Sequence, residues 1–188
     1  MTYLRTERLE LVPMTVALVD AVMGGRREET ERIAEARLPK MWPNRALVER
    51  AFTASIDEIR GDPATRLWGD RLMIERDERG ERRVVGSIVF HGRPGEDGLA
   101  EIAYGVEEGS QGRGFATEAT RACVEWALGE DGVVAVRATT HPWHAASLRV
   151  MTKVGMVHIG EREHETLGDL LVYEVKRGEV NRGGSSRG

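Results

Sequence analysis

The sequence predicts a single mixed α/β domain, with helices early, a hairpin in the middle and strand–helix units late. Three observations carry this reading. Apolar residues recur at helical spacing in the first third of the chain and alternate at strand spacing from residue 71 onward. The turn sequence Asp77-Glu78-Arg79-Gly80 separates two apolar runs, as in a hairpin. A strand, a glycine-rich turn and a helix then follow one another from residue 99. With 188 residues and 40% hydrophobic side chains, the chain holds enough apolar material for one sizeable core.

Arg8-Leu9-Glu10-Leu11-Val12 alternates and stops at Pro13, a short first strand. Thr15 is the expected N-cap of a helix through Met23, which Gly24-Gly25 ends. Arg26 to Leu38 is highly charged, with Ile33, Ala34 and Leu38 on one stripe, and reads as a second helix. Pro39 and Pro43 make 38–43 a loop. Asn44 caps a helix with Val48, Phe52, Ile56 and Ile59 at helical spacing, ended by Gly61-Asp62-Pro63. Strands are expected over 71–75, 84–90 and 99–106, with Leu99, Glu101, Ala103 and Gly105 of the last facing one way. A helix from Phe115 carries Ala119, Ala122, Cys123, Trp126 and Ala127 on its apolar face. A strand over 133–139, a helix over 145–154 closed by Gly155, and strands over 156–160 and 170–175 complete about seven strands. The domain is expected over 1–177, and the Gly- and Ser-rich residues 178–188 read as a flexible tail.

Composition removes several classes of function. Acidic and basic residues nearly balance at a net charge of −4, which gives no support for a nucleic-acid partner. A single cysteine, Cys123, cannot form an internal disulfide. No apolar run approaches the roughly 18 residues a membrane span needs, and no apolar signal segment follows Met1, so the expectation is a soluble cytoplasmic protein. His141 and His144 are separated by Pro142, with no nearby Cys or carboxylate to complete a metal site. His164-Glu165-Thr166-Leu167-Gly168 lacks the second histidine of a zinc-protease motif, so no metal is expected. Cys123 falls on an apolar helix face and reads as core.

The most informative segment is Gly109-Ser110-Gln111-Gly112-Arg113-Gly114, between a strand and a helix start. Such a turn aims backbone N–H groups and the positive end of a helix dipole at one point, as a phosphate site requires. Gly112 and Gly114 let the backbone approach a pyrophosphate, and Arg113 could add a charge-assisted bond. No Gly-Lys-[Ser/Thr] triplet exists, so this is not a P-loop. Counted from Gly112-x-Gly114, the third position of a dinucleotide fingerprint is Thr117, which argues against a nucleotide-dependent oxidoreductase.

Gln111-Gly112-Arg113-Gly114-Phe115-Ala116 resembles the acyl-CoA motif [QR]-x-x-G-x-[GA] of the Gcn5-related N-acetyltransferases. Its surroundings, Tyr104 to Ala119, resemble the RimJ/RimL-type branch almost residue for residue. The opening Arg5 to Pro13 and the late helix Ser147 to Met156 are similar to that branch as well, in the right order. The resemblance implies a central, mostly antiparallel mixed sheet that splits between its fourth and fifth strands, here 99–106 and 133–139. It implies acetyl-CoA as co-substrate, with main-chain groups of Tyr104, Gly105 and Val106 on the pantetheine and the turn from Gln111 through Thr117 on the pyrophosphate. Glu101 is the implied base, working through water, and Ser147 the hydroxyl nearest the departing sulfur. His144 stands where the family carries an asparagine toward the pantetheine arm, and Met151 where many relatives carry a tyrosine. Met41 and Trp42, in the proline-flanked loop, are the expected wall of an acceptor pocket for a neutral-to-hydrophobic amine or a peptide N-terminus. A homodimer is a possible assembly, and a non-catalytic acyl-CoA- or amine-binding regulatory module is the alternative to an enzyme.

Overall fold

The computed structural model describes residues 3–42, 60–77 and 79–179, in which all strands join one sheet. In chain order they are β1 (Leu4–Arg5), β2 (Leu9–Pro13), β3 (Asp70–Arg76), β4 (Arg82–Phe90), β5 (Leu99–Val106), β6 (Ala135–Thr140), β7 (Val157–His164) and β8 (Gly168–Lys176). The α-helices are α1 (Val16–Met23), α2 (Arg27–Ala34), α3 (Phe115–Gly129) and α4 (Ala145–Val154). The sheet order is β1-β2-β3-β4-β5-β6-β8-β7, and β5–β6 is its parallel pair. Among the described residues eight strands stand where about seven were expected, because two-residue β1 is too short to show alternation. The helix expected over 44–61, with Phe52, falls almost wholly outside the described residues, as does the tail beyond 179.

The β5–β6 pairing covers Leu99–Ala135, Ala100–Val136 and Glu101–Arg137 and then stops. From Ile102 to Val106, β5 keeps β4 on one side while β6 diverges on the other. The sheet is therefore forked, as the family resemblance implies.

Alternation along the strands gives the sheet two buried faces. On one, α3 presses Phe115, Ala119, Cys123 and Val124 against Leu11, Met73, Phe90 and Ile102. On the other, α1 and α2 cover Leu72, Ile74 and Val84 with Leu18, Val22 and Ala34. Burial pushes the Cys123 thiol up to about 11, so this core cysteine stays an unreactive thiol. Arg71 is enclosed beneath Trp126, its guanidinium 4.5 Å from that ring, and burial draws its pKa below the usual arginine value. Among the described residues no helix is long and apolar enough to cross a membrane.

Thr15 caps α1 as expected, accepting a hydrogen bond from the Leu18 amide at 3.3 Å. Thr15→Ala should destabilise the fold by about 1 kcal/mol, read as a lower denaturant midpoint at unchanged slope. The second helix is shorter than its stripe suggested: it ends at Ala34, and Glu35 turns left-handed at φ 50°. A tertiary contact explains this. Arg82 of β4 donates to the Glu35 carbonyl at 2.9 Å and pairs with Glu10 at 2.6 Å. Leu38 still reaches the core, carried there by the Arg37–Arg83 bridge rather than by a helix.

Candidate functional site

The glycine-rich turn is shaped by two left-handed glycines, Gly112 at φ 74° and Gly114 at φ 84°. Gly114 is the N-cap of α3 and no side chain caps the helix, so the amides of Phe115, Ala116 and Thr117 have no intrahelical acceptor. The Arg113 carbonyl accepts a hydrogen bond from Arg8 Nη1 at 2.9 Å. In a trans peptide this leaves the Gly114 N–H directed the opposite way.

The opening strand segment fixes that turn from outside. Thr6 donates to Glu118 Oε1 at 2.5 Å, and the Arg8 backbone and side chain donate to the same carboxylate at 2.9 and 2.8 Å. Burial alone would raise the Glu118 pKa, but the bonds from Thr6 and Arg8 outweigh it and hold the carboxyl below its usual range. Glu118 lies in the first turn of α3, so its charge also suits the helix dipole.

A cavity of about 510 Å³ opens beside this turn in the fork of the sheet. Tyr104, Gly105 and Val106 of β5 line it, with Gln111, Gly112 and Gly114 to Thr117 of the turn and His144, Ser147, Arg149 and Lys153 from the start and one face of α4. The Gln111 side-chain amide donates to the Val106 carbonyl at 3.1 Å and ties turn to strand. One expectation for this turn is corrected. The Arg113 guanidinium lies outside the cavity lining, bound to Glu75 and 4.6 Å over the Phe115 ring. Glu75 is buried and also holds Arg83 at 2.7 Å, so it locks Arg113 into a structural role.

The cations facing this cavity are Arg149 and Lys153 instead, four residues apart on α4. Neither pairs with a carboxylate among the described residues. Their spacing on an amphipathic helix was visible in the sequence, but which wall they faced was not.

Tyr104 also does more than lend its main chain. It shares the face of Ile102 rather than of Glu101, and its hydroxyl donates to the Ser147 carbonyl at 3.3 Å. Burial pushes this phenol up to about 12, so it is protonated at any pH below that. Met151 is fully buried in the core and contributes no polar group. His144 sits at the N-cap position of α4 without a capping bond, its ring 5.8 Å from Trp143, against which His141 stacks at 4.8 Å. His164 accepts amide hydrogen bonds in the β7–β8 turn.

Glu101 lies on the opposite face, in a second cavity of about 680 Å³. Arg93 and Asp97 from the β4–β5 loop, Arg137 and Thr139 of β6, and Arg162 of β7 share this lining. Glu101 Oε1 accepts a hydrogen bond from Arg162 Nη2 at 2.9 Å. The structure therefore brings Tyr104, His144 and Ser147 together in one cavity and puts Glu101 in the other, with the fork between them.

Among the described residues, Met41 and Trp42 are not in the lining of either cavity, where an acceptor wall was expected. Met41 is 83% exposed, and the Trp42 ring packs half-buried against the Leu18–Leu72 layer beneath α1 and α2. Proline flanks suggested a surface cleft, but apolar area next to that core layer was the stronger pull.

The first cavity's groups suit a ligand that carries phosphates and a long arm. Uncapped amides at a helix start and two cations answer the phosphates, while the fork exposes one edge of β5 to an extended chain. Comparison with known proteins agrees. The family model for an acetyltransferase (GNAT) domain matches residues 8–157. The chain is 24% identical over 161 residues to the uncharacterized N-acetyltransferase YjdG of Bacillus subtilis (strain 168), covering 84% of this chain and 90% of that protein. It is 30% identical over 126 residues to the uncharacterized N-acetyltransferase YnaD of the same organism, covering 67% and 69%. A solved structure of Mycobacterium smegmatis RimJ in complex with CoA-disulfide shares the fold at a TM-score of 0.60 and 20% identity, over 93% of this chain and 84% of that one.

Proposed function

This chain belongs to the GNAT acetyltransferase family, so acetyl transfer is its chemistry, and we propose that it moves the acetyl group of acetyl-CoA to a primary amine by direct attack. The observation that supports this most is the placing of two cavities on opposite faces of the sheet, one along Leu99 to Glu101 of β5 and the other along Tyr104 to Val106, where the β5–β6 pairing has ended. One offers the helix-start amides, Arg149 and Lys153 to the phosphates. The other offers Glu101 to an ammonium ion.

Glu101 takes one proton from the ammonium group through water, leaving a neutral amine. Its nitrogen forms the new C–N bond at the thioester carbonyl, and backbone N–H groups of β5 between Tyr104 and Val106 stabilise the oxygen that gains charge. The C–S bond breaks with its electron pair passing to sulfur. The nitrogen loses its second proton to solvent, and the sulfur receives one from the Ser147 or Tyr104 hydroxyl, which solvent then replenishes. The balance is one amide, one thiol and one released proton for each ammonium ion and acetyl-CoA consumed.

Ser147→Ala should lower kcat by about tenfold with unchanged acetyl-CoA affinity. The effect is below the roughly 10²-fold of a sole donor, because the protonated Tyr104 hydroxyl lies within reach of the same helix turn. Combining it with Tyr104→Phe should deepen the loss. Thiol release from acetyl-CoA, screened over small amines and N-terminal peptides, tests the whole reading: binding of acetyl-CoA without thiol release for any amine would make the chain a regulatory module instead.

A further inference from the structure

The second cavity holds three arginines whose partners differ in kind. Arg137 bonds Glu174 at 2.6 Å, and that carboxylate is buried in β8 outside the cavity lining. Arg93 bonds Asp62 at 2.5 Å, also outside the lining. Both pairs can persist when an acceptor enters. Arg162 is different, because its partner is Glu101, the group assigned to take the amine's proton.

The Arg162 guanidinium occupies Glu101 Oε1 at 2.9 Å, so an ammonium ion can take that place only when Arg162 lets go. Arg162 extends from the edge strand β7 with 48% of its side chain exposed, so it is free to turn. It then needs another anion, and a planar carboxylate matches its fork of donors.

We propose that the acceptor of this enzyme is an amine that also carries a carboxylate a few bonds away, a free amino acid or a close analogue, and that Arg162 is the residue that selects it. This rests on the acetyl-transfer reading and names the substrate class of the same site. Such a zwitterion enters between Glu101 and Arg162 and replaces each one's partner with its own opposite charge. One internal ion pair is exchanged for two across the interface. An amine without the acid opens the same pair and leaves Arg162 without its anion. The expectation of a neutral acceptor rested on Met41 and Trp42, which do not face this cavity.

The test is thiol release with a panel of free L-amino acids, each compared with its own carboxamide. The best amino acid should exceed its amide in kcat/KM on the order of ten- to a hundredfold, mostly through KM. Arg162→Gln should bring that ratio to near one by raising KM for the acid, and Arg162→Lys should retain part of it. Equal use of acid and amide by the wild-type protein, as would follow if Arg162 simply passed to neighbouring Glu161, overturns the proposal. If no amine releases thiol, the transfer reading has failed, and calorimetry on CoA-saturated protein decides this one separately. Amino-acid binding that exceeds amide binding and is lost in Arg162→Gln sustains a zwitterion site. No binding of the acid, or equal binding by the variant, rejects it.

Discussion

Glu101→Gln should lower kcat by about 10²- to 10⁴-fold while leaving acetyl-CoA affinity unchanged, the span typical of removing a positioned general base. The substitution keeps shape and an acceptor oxygen for Arg162, and removes only the ability to take a proton. Folding should hardly change. Glu101 is partly exposed, and an ion pair of that kind contributes no more than about 1 kcal/mol. Its cavity also lies across the sheet from the phosphate turn, which separates the two readouts. Saturating thiol-release kinetics, paired with calorimetry for acetyl-CoA, would measure both. A rate within a few-fold of wild type would remove Glu101 from the chemistry and leave proton removal to bulk water.

Gly114→Val should weaken acetyl-CoA binding on the order of 10²-fold, equivalent to losing one or two charge-assisted hydrogen bonds. Gly114 holds φ 84° at the start of α3, where a β-branched residue is strained by roughly 1–2 kcal/mol. The added Cβ would meet Arg8 Nη2 at 3.4 Å, an ordinary contact with a flexible tip, so the backbone conformation is what gives way. Relieving that strain rotates the peptide whose amide the phosphate needs. A fall of a few degrees in Tm is expected alongside. Gly112→Ala is the companion variant, because its Cβ would meet nothing within 4 Å while sitting in the cavity lining at φ 74°. Unchanged acetyl-CoA affinity in both folded variants would reject the turn as the phosphate site.

Regular elements were legible where local chemistry sets them. Thr15 caps α1 through its own neighbours, and Gly155 at φ 94° closes α4 with its amide on the Met151 carbonyl. The glycine-rich turn was legible for the same reason, since two left-handed glycines and a helix start lie within a few residues. The end of α2 was not, because Arg82 reaches it from 47 residues away in sequence. Arg113 was misread for a similar reason: its charge next to the turn suggested a phosphate ligand, yet Glu75 on β3, 38 residues earlier, takes it.

The sequence by itself determined the family and the glycine-rich turn that opens α3, because each shows in residues close together in the chain, and it singled out Glu101 and Ser147 as candidates. The tertiary structure alone decided which groups share a cavity. Strand alternation put Glu101 and Tyr104 on opposite faces of β5, and the β5–β6 pairing that ends at Glu101–Arg137 leaves the two cavities on either side of that end. It also brought Arg162 across 61 residues of sequence onto Glu101 and drew Trp42 against the core. Charge pairing and apolar burial act between whatever surfaces the sheet order brings together. That order, with β8 between β6 and β7, is written in no local stretch of the chain.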